Sequence, residues 1–124
     1  MRPVRIVLVE DNEVFREALE LLLGMRDDVE VVASVGDGAA AVRAAEEHRP
    51  DVVLMDYRLP GLDGVQATEA LSAAVPGVAV VGLTASANER EREALLGAGA
   101  VACLTKDQEL DAIIAAVQQA AAAA

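Results

Sequence analysis

The sequence has almost no aromatic residues, a single cysteine and few basic residues. Aromatics make up 2% of its 124 residues although apolar residues make up 54%, so the core has to be built from Ala, Val and Leu. The lone Cys103 excludes an intrachain disulfide and any metal site made of several cysteines. No apolar run approaches the length of a membrane span, and the run near the N-terminus is too short for the core of a signal peptide. These absences predict a cytoplasmic protein.

Acidic side chains outnumber basic ones by two to one. The sequence has 10 Lys and Arg against 21 Asp and Glu, which gives a formal net charge of -11 at pH 7. A chain this acidic is repelled by nucleic acid backbones, and it has no basic stripe with interleaved aromatics. We therefore expect no direct binding to nucleic acid or to membranes. The excess of negative charge favours cations and cationic partners instead.

Five apolar runs alternate with five segments of helical periodicity. Continuous runs such as Val52 to Met55, without polar alternation, are typical of strands buried on both faces of a parallel sheet. The predicted strands are Arg5 to Val9, Val29 to Val35, Val52 to Asp56, Val78 to Leu83 and Ala100 to Leu104. Such alternation predicts one α/β domain with helices on both faces of the sheet and right-handed crossovers. The predicted domain covers residues 1–119, and 120–124 is the end of the last helix or the start of a linker.

Helix boundaries are marked by capping and breaking residues. Asn12 predicts the N-cap of the first helix and Gly24 its end. Pro50 ends the second helix near His48. The third helix is predicted at 65–74, the fourth at 89–96 after a loop at 84–88, and the fifth carries a buried stripe from Leu110. The alternating Glu and Arg residues at 89–93 predict a solvated helix face.

Polar residues follow four of the five predicted strands. Glu10 and Asp11 follow the first strand, Asp56 is the last residue of the third, Thr84 follows the fourth and Lys106 comes shortly after the fifth. Because the carboxyl ends of parallel strands meet at one edge of a sheet, we expect these side chains to lie together. Asp56 alone could simply begin a turn, as Asp often does. Recurrence at four strand ends favours a functional site instead.

The grouped residue types predict metal-assisted phosphoryl transfer. Two carboxylates about 4 Å apart repel by roughly 4 kcal/mol at an effective dielectric near 20, and their pKa values rise unless a cation is present. All-oxygen ligands select Mg²⁺, Mn²⁺ or Ca²⁺, and a few carboxylates completed by waters suit Mg²⁺. With such a metal, Asp56 can attack phosphorus in line, Thr84 can hydrogen-bond a phosphoryl oxygen, and Lys106 can balance its charge.

At this point the chain resembles the receiver domain of two-component response regulators over nearly its whole length. The resemblance lies in five segments: Val9 to Asn12, Pro50 to Asp56, Leu59 to Gly64, Leu83 to Ala85 and Gly99 to Lys106. Two further stretches, Met55 to Pro60 and Lys106-Asp107, are similar to the NarL/FixJ branch. Output domains in that branch are usually helix-turn-helix DNA binders.

The resemblance implies a flavodoxin-like (βα)5 fold with strand order 2-1-3-4-5. It also implies a signalling switch rather than an enzyme acting on an external substrate. Asp56 would accept a phosphoryl group from a sensor histidine kinase and lose it slowly by autodephosphorylation. A DNA-binding output domain is expected in a longer form, with a role in transcription regulation and a homodimer on activation.

The resemblance also implies a role for each site residue. Asp11, Asp56 and the backbone carbonyl of Arg58 would bind Mg²⁺ or Mn²⁺ directly, and Glu10 would bind it through a water. For the remaining two residues, the implied roles are the switch hydroxyl for Thr84 and the partner of the phosphoryl group for Lys106.

Two positions depart from the usual receiver pattern. The family usually has an aromatic residue three positions before the lysine, where this sequence has Cys103. Many members have proline after the lysine in a cis bond, where this sequence has Asp107, which removes the ordinary reason for a cis bond. We therefore expect activation to be relayed mainly through the loop after Thr84 and the fourth helix, with weaker coupling.

Three other classes are compatible with parts of the pattern. A haloacid dehalogenase-like phosphatase would need a second Asp two residues after Asp56, where Arg58 stands. A flavin or nucleotide binder would need a Gly-rich or Ser/Thr-rich phosphate loop after the first strand, where Glu10-Asp11-Asn12 would repel phosphate. A receiver-like module that is never phosphorylated and only binds partners would not need the intact set of site residues.

Overall fold

A computed structural model describes residues 2–85 and 88–123 of the chain. Strands and helices alternate along these residues. The strands are β1 (Val4–Val9), β2 (Val29–Val35), β3 (Val52–Asp56), β4 (Ala79–Thr84) and β5 (Ala102–Thr105). The helices are α1 (Glu13–Gly24), α2 (Gly38–His48), α3 (Gly64–Ala74), α4 (Glu89–Ala98) and α5 (Leu110–Ala123).

The strands form one parallel sheet in the order β2-β1-β3-β4-β5. β3 lies at its centre, where Val52 pairs with Ile6 of β1 and with Ala79 of β4. At the other end of β3, Asp56 pairs with Leu83. The sheet confirms the predicted flavodoxin-like architecture and strand order, and it places the end of β3 between the ends of β1 and β4.

The sheet separates two apolar layers, as continuous strand runs require when both faces are covered. Alternate residues of β1 show the division, because Ile6 and Leu8 face one layer and Val7 and Val9 the other. The first, called the α1/α5 layer, also includes Leu19, Leu23, Leu54, Val81, Ile113, Ile114 and Val117. The second, called the α2/α3/α4 layer, also includes Ala41, Ala45, Val53, Met55, Ala67, Leu71, Val80 and Leu95.

The predicted helix caps agree with the structure at the ends of α1 and α2. The Asn12 side chain accepts a hydrogen bond from the Phe15 N–H at 3.0 Å. α2 ends at His48, and Arg49 adopts a left-handed conformation with φ 49° immediately before Pro50. Asp63 adds a capping box with Gln66 at the start of α3, which was not predicted from the sequence.

Two boundaries on either side of the connection between α4 and β5 differ from the prediction. α4 extends to Ala98 rather than Leu96, and β5 begins at Ala102 rather than Ala100. Backbone hydrogen bonding explains both shifts, because the Ala100 N–H donates to the Leu95 carbonyl at 3.0 Å. This residue therefore closes the end of the helix and is unavailable to the strand ladder.

The prediction of a wholly solvated Glu-Arg face on α4 is wrong at one position. Glu91 is only 7% exposed, whereas Glu89, Arg90, Arg92 and Glu93 are exposed. Glu91 lies one turn before the buried Leu95, so helical periodicity turns both residues inward. The guanidinium of Arg58 lies 3.4 Å from its carboxylate and supplies the opposite charge.

Four residues with sequence-based predictions lie outside the described residues. Ser86 and Ala87 belong to the predicted loop after β4, Met1 to the predicted domain, and Ala124 to its predicted final segment. α5 continues through Ala123, and Ala120 is buried in the α1/α5 layer. Among residues 2–85 and 88–123, no helix has the length and apolar character needed to cross a membrane.

Candidate functional site

The carboxyl ends of four strands bring the predicted site residues to one edge of the sheet. Asp56 is the last residue of β3 and Thr84 the last residue of β4, and each is 3% exposed. Glu10 directly follows β1 and is fully buried, whereas the neighbouring Asp11 is exposed. Lys106 follows β5, and its backbone N–H donates to the Thr84 carbonyl at 2.8 Å.

Three carboxylates meet at this edge. One oxygen from each of Glu10, Asp11 and Asp56 lies within 4.8 Å of the others. Burial, together with the hydrogen bond and charge of Glu10, raises the pKa of Asp56 to about 7. Burial also opposes ionisation of Glu10, but hydrogen bonds from Asp56 and Lys106 hold its pKa below the usual value. Without a cation, the buried pair therefore holds a proton, chiefly on Asp56, at pH values below about 7.

Local hydrogen bonds fix the position of Glu10. Its Oε2 accepts from the Asn12 N–H at 3.0 Å, and its carbonyl accepts from the Arg16 guanidinium at 2.7 Å. Residues at the start of α1, close to Glu10 in sequence, thus hold its carboxylate and its backbone in place.

Lys106 joins the two buried carboxylates. Its ammonium forms an ion pair with Glu10 and lies 3.3 Å from Oδ1 of Asp56. Burial opposes the charge of Lys106, but the hydrogen bond with Glu10 and the charge of Asp56 raise its pKa. The same ammonium lies 5.0 Å from the centroid of the Phe15 ring. This contact between α1 and the residue after β5 was not predicted from the sequence.

The loop between β3 and α3 is built closely around Asp56. The Arg58 N–H donates to Asp56 Oδ1 at 3.4 Å, and the Gly64 N–H donates to the Tyr57 carbonyl at 3.1 Å. A Cβ atom at Gly64 would lie 2.4 Å from the Asp56 carbonyl oxygen. Only glycine fits this approach without displacing backbone, a requirement that was not predicted from the sequence.

The site residues fit a small, hard divalent cation. They offer carboxylate oxygens from Glu10, Asp11 and Asp56, which are the donors that Mg²⁺ prefers. Burial, together with the hydrogen bond and charge of Glu10, raises the pKa of Asp56, and a bound cation would favour its ionised form. Three carboxylates leave further positions for waters and for phosphoryl oxygens, as is usual for Mg²⁺.

Cys103 stands on β5 beside Gly82 of β4. It is half-buried, and a Cβ atom at Gly82 would lie 3.4 Å from its sulfur. Burial raises the pKa of the Cys103 thiol, so the residue is a neutral thiol near pH 7. A cavity of about 170 Å³ adjoins it, with Thr84, Arg92 and Leu104 in its wall.

Comparisons with known proteins agree on one family. The model of the response regulator receiver domain matches residues 6–118. The transcriptional regulatory protein DegU of Brevibacillus brevis is 38% identical over 115 residues, which are 93% of this chain and 49% of DegU. The transcriptional regulatory protein LnrK of Bacillus subtilis is 35% identical over 92% of this chain and 52% of LnrK. This chain thus spans about half the length of these relatives.

Solved structures agree with this result. The signal receiver domain of the putative response regulator NarL from Mycobacterium tuberculosis superposes with a TM-score of 0.93 at 34% identity, covering 98% of both chains. The response regulator domain of CheB from Thermotoga maritima superposes with a TM-score of 0.89 at 26% identity, again over 98% of both chains. The match to the family model, the sequence relatives and the shared fold together establish that this chain belongs to the receiver domains of response regulators.

Proposed function

We propose that this chain is the phosphorylation switch of a two-component system, in which Asp56 accepts a phosphoryl group from a sensor histidine kinase. The observation that carries the proposal is the placement of Asp56. Its carboxylate ends the central strand, lies 3.3 Å from the Lys106 ammonium and shares an oxygen cluster with Glu10 and Asp11. The proposal is supported by this geometry, which brings a candidate nucleophile, a cationic side chain and candidate metal ligands within one small site.

The metal ligands we propose are Asp11, Asp56 and the backbone carbonyl of Arg58, with Glu10 acting through a water. Mg²⁺, or Mn²⁺ in its place, would when bound neutralise the carboxylates and polarise the phosphoryl oxygens. Few direct carboxylates hold such a strongly hydrated ion weakly, so we expect millimolar-scale affinity. Asp11→Asn is expected to weaken this binding.

In the reaction, an ionised oxygen of Asp56 attacks the phosphorus atom of the donor. A P–O bond forms as the P–N bond to the kinase histidine breaks, and the leaving imidazole retains the electron pair of that bond. Lys106 stabilises charge on the phosphoryl oxygens, and the Thr84 hydroxyl donates to one of them. Water later attacks phosphorus, the P–O bond to Asp56 breaks, and inorganic phosphate leaves while the carboxylate is regenerated. The proposed reactions are therefore phosphoryl acceptance and slow self-hydrolysis.

The phosphoryl group would act by changing the protein surface. It adds roughly -1.5 to -2 charges and new acceptor oxygens at the site, which can bias a face of the domain between two states. The relatives named above are transcriptional regulators about twice as long as this chain. We therefore propose that a longer form carries a DNA-binding output domain, acts in the cytoplasm and forms a homodimer on activation, while this acidic part does not touch DNA.

Intact mass spectrometry after incubation with acetyl phosphate and Mg²⁺ tests the proposal directly. The wild type should gain one phosphoryl group, and Asp56→Asn should gain none. Asp27→Asn, which changes an exposed carboxylate distant in sequence from the site residues, is the matched control and should be labelled like the wild type. Equal labelling of Asp56→Asn would refute the assignment of the acceptor. No labelling of the wild type would favour a receiver-like module that only binds partners.

A further inference from the structure

The one phenylalanine of the sequence contacts its one lysine. The Lys106 ammonium lies 5.0 Å from the centroid of the Phe15 ring, which is within the range of an attractive cation–π interaction. Lys106 is also paired with Glu10 and Asp56. An aromatic face on α1 therefore shares this ammonium with the two buried carboxylates of the proposed site.

Phe15 is itself held in place from two directions. Its N–H donates to the Asn12 side chain at 3.0 Å, and its half-buried ring packs against the α1/α5 layer. The Asn12 N–H in turn donates to Glu10 Oε2 at 3.0 Å. Contacts therefore run in a closed circuit from Glu10 to Asn12, Phe15, Lys106 and back to Glu10. The circuit fixes the ring relative to the carboxylates.

The ring contact differs in kind from the two ion pairs of Lys106. The attraction between a carboxylate and an ammonium weakens when the carboxylate is protonated, binds a metal or becomes phosphorylated. The face of an aromatic ring is uncharged, so its attraction for a cation persists through all of these changes. Lysine has a long, flexible side chain. Without this contact, its ammonium would be held less firmly while a metal occupies the carboxylates and no phosphoryl group has yet bound.

We propose that Phe15 is a positioning residue for phosphoryl transfer, whose ring keeps the Lys106 ammonium at the site while its anionic partners change. The inference rests on the proposed function, because it concerns the step in which Asp56 is phosphorylated. Phe15 itself touches neither the phosphoryl group nor the attacking carboxylate.

One test reads the contact without any reaction. Because Lys106 is the single lysine, protein labelled with ¹³C-lysine gives one set of side-chain NMR signals. Ring currents of Phe15 should move the Lys106 ε-CH₂ protons away from their random-coil position. The displacement should persist with Mg²⁺ and beryllofluoride and should be lost in Phe15→Leu. Identical Lys106 signals in the wild type and Phe15→Leu would overturn the proposal.

A second test reads the consequence for phosphorylation by acetyl phosphate. Phe15→Leu should lower the rate at saturating donor by about threefold to thirtyfold, the range set by the strength of cation–π contacts. The KM for acetyl phosphate and the Mg²⁺ affinity should stay unchanged. Phe15→Tyr restores a ring face and should recover the wild-type rate within about twofold. If the wild type is phosphorylated on Asp56 and Phe15→Leu is phosphorylated at the same rate, this inference alone is overturned.

A double-mutant cycle separates positioning from a general structural role. In a Lys106→Met background, Phe15→Leu should cause no further loss of rate, because the residue it positions is absent. An equal loss in both backgrounds would show that Phe15 acts on the fold and would overturn the proposal. Phe15→Met provides a second aliphatic variant if Phe15→Leu does not fold. Val14→Ala, at a neighbouring position that is 80% exposed, is the matched control and should leave the rate unchanged.

The two proposals fail in different ways. If the wild type is not labelled on Asp56, the proposed function is wrong and the role of Phe15 falls with it. If the wild type is labelled, and Phe15→Leu changes neither the rate nor the Lys106 signals, only the inference about Phe15 is wrong.

Discussion

The guanidinium of Arg58 lies 3.4 Å from the carboxylate of Glu91, which joins the loop after Asp56 to α4. The two partners are unequally exposed, because the Arg58 side chain is 78% exposed and that of Glu91 only 9%. The backbone carbonyl of Arg58 is also a proposed metal ligand. Arg58 thus connects the proposed metal site with α4. A movement of the loop after Asp56 would change the contact between Arg58 and Glu91 of that helix.

Arg58→Ala should cost about 1 kcal/mol of unfolding free energy or less, because it leaves the buried Glu91 without this partner while the pair is open to solvent on one side. Urea unfolding measures the change. Arg92→Ala removes an exposed pair with Glu89 on the same helix and should change stability by less than about 0.5 kcal/mol. In a Glu91→Gln background, Arg58→Ala should have a smaller effect. An undiminished effect would show that Arg58 acts through other contacts.

The raised pKa of Asp56 predicts that stability falls with pH when no divalent cation is present. Asp56 binds its proton up to about pH 7 in the folded protein but ionises near 3.8 when unfolded. The folded state therefore holds more protons between these values, and the free energy of unfolding decreases as pH rises from about 4 to about 7. Glu10 has the opposite effect at lower pH, because its pKa in the folded protein lies below the usual 4.5. Its stabilising contribution is lost as pH falls from 4.5 through this lower folded-state pKa.

Asp56→Asn isolates this effect. At pH 8 in EDTA the variant should be more stable than the wild type by roughly 1 to 3 kcal/mol, because it removes the buried negative charge. The difference should shrink as the pH falls towards 4, because Asp56 becomes protonated in the folded protein and its buried negative charge is lost. Mg²⁺ at pH 8 should stabilise the wild type more than the variant. Parallel stability curves for the two proteins from pH 4 to 8 would contradict the raised pKa.

Gly64→Ala should destabilise the fold by about 2 kcal/mol or more, because the added Cβ would lie 2.4 Å from the Asp56 carbonyl oxygen and 2.9 Å from two Tyr57 backbone atoms. The loop would have to move, so labelling of Asp56 should also slow. Gly97→Ala is the matched control, since nothing lies within 4 Å of its Cβ position in α4. It should raise stability by about 0.5 to 1 kcal/mol in thermal unfolding.

Cys103→Tyr should strengthen the link between the site and the surface. The added ring can enter the cavity of about 170 Å³ beside Thr84 and Cys103, provided that the surroundings are not overpacked. We expect the wild type to couple beryllofluoride binding to dimerisation by about 1 kcal/mol or less, at the weak end of allosteric couplings. The dimer dissociation constant with and without beryllofluoride measures it, with Cys103→Val as a control that adds bulk without a ring. A large wild-type shift that Tyr leaves unchanged would contradict the idea.

The architecture and the composition of the site could be predicted because they depend on short segments. Unbroken apolar runs such as Val52 to Met55 indicate doubly covered parallel strands, and polar residues after such runs must meet at one edge. Asn12 and Pro50 marked helix ends by local rules that the fold preserves.

The contacts across elements could not be predicted from these patterns. In the sequence, Phe15 is one of several apolar residues of α1. Its neighbours in sequence do not indicate that its ring faces Lys106, which lies 91 positions later. Helical spacing places Glu91 on the same face as Leu95, but how deeply Glu91 is buried depends on how α4 packs against the sheet. The role of Gly64 depends on a carbonyl eight residues earlier. Each of these depends on tertiary geometry that periodicity does not encode.

The two apolar layers share the sheet but not their side chains, because Ile6 and Leu8 contribute to one and Val7 and Val9 to the other. Substitutions far apart with no shared partners are nearly additive in their effects on stability. A descendant lineage could therefore exchange side chains under α1 and α5, and so acquire new interaction specificity, without compensating changes under α2, α3 and α4. Because the sheet separates the two layers, their side chains can evolve at different rates while the site residues at the carboxyl edge of the sheet stay in place.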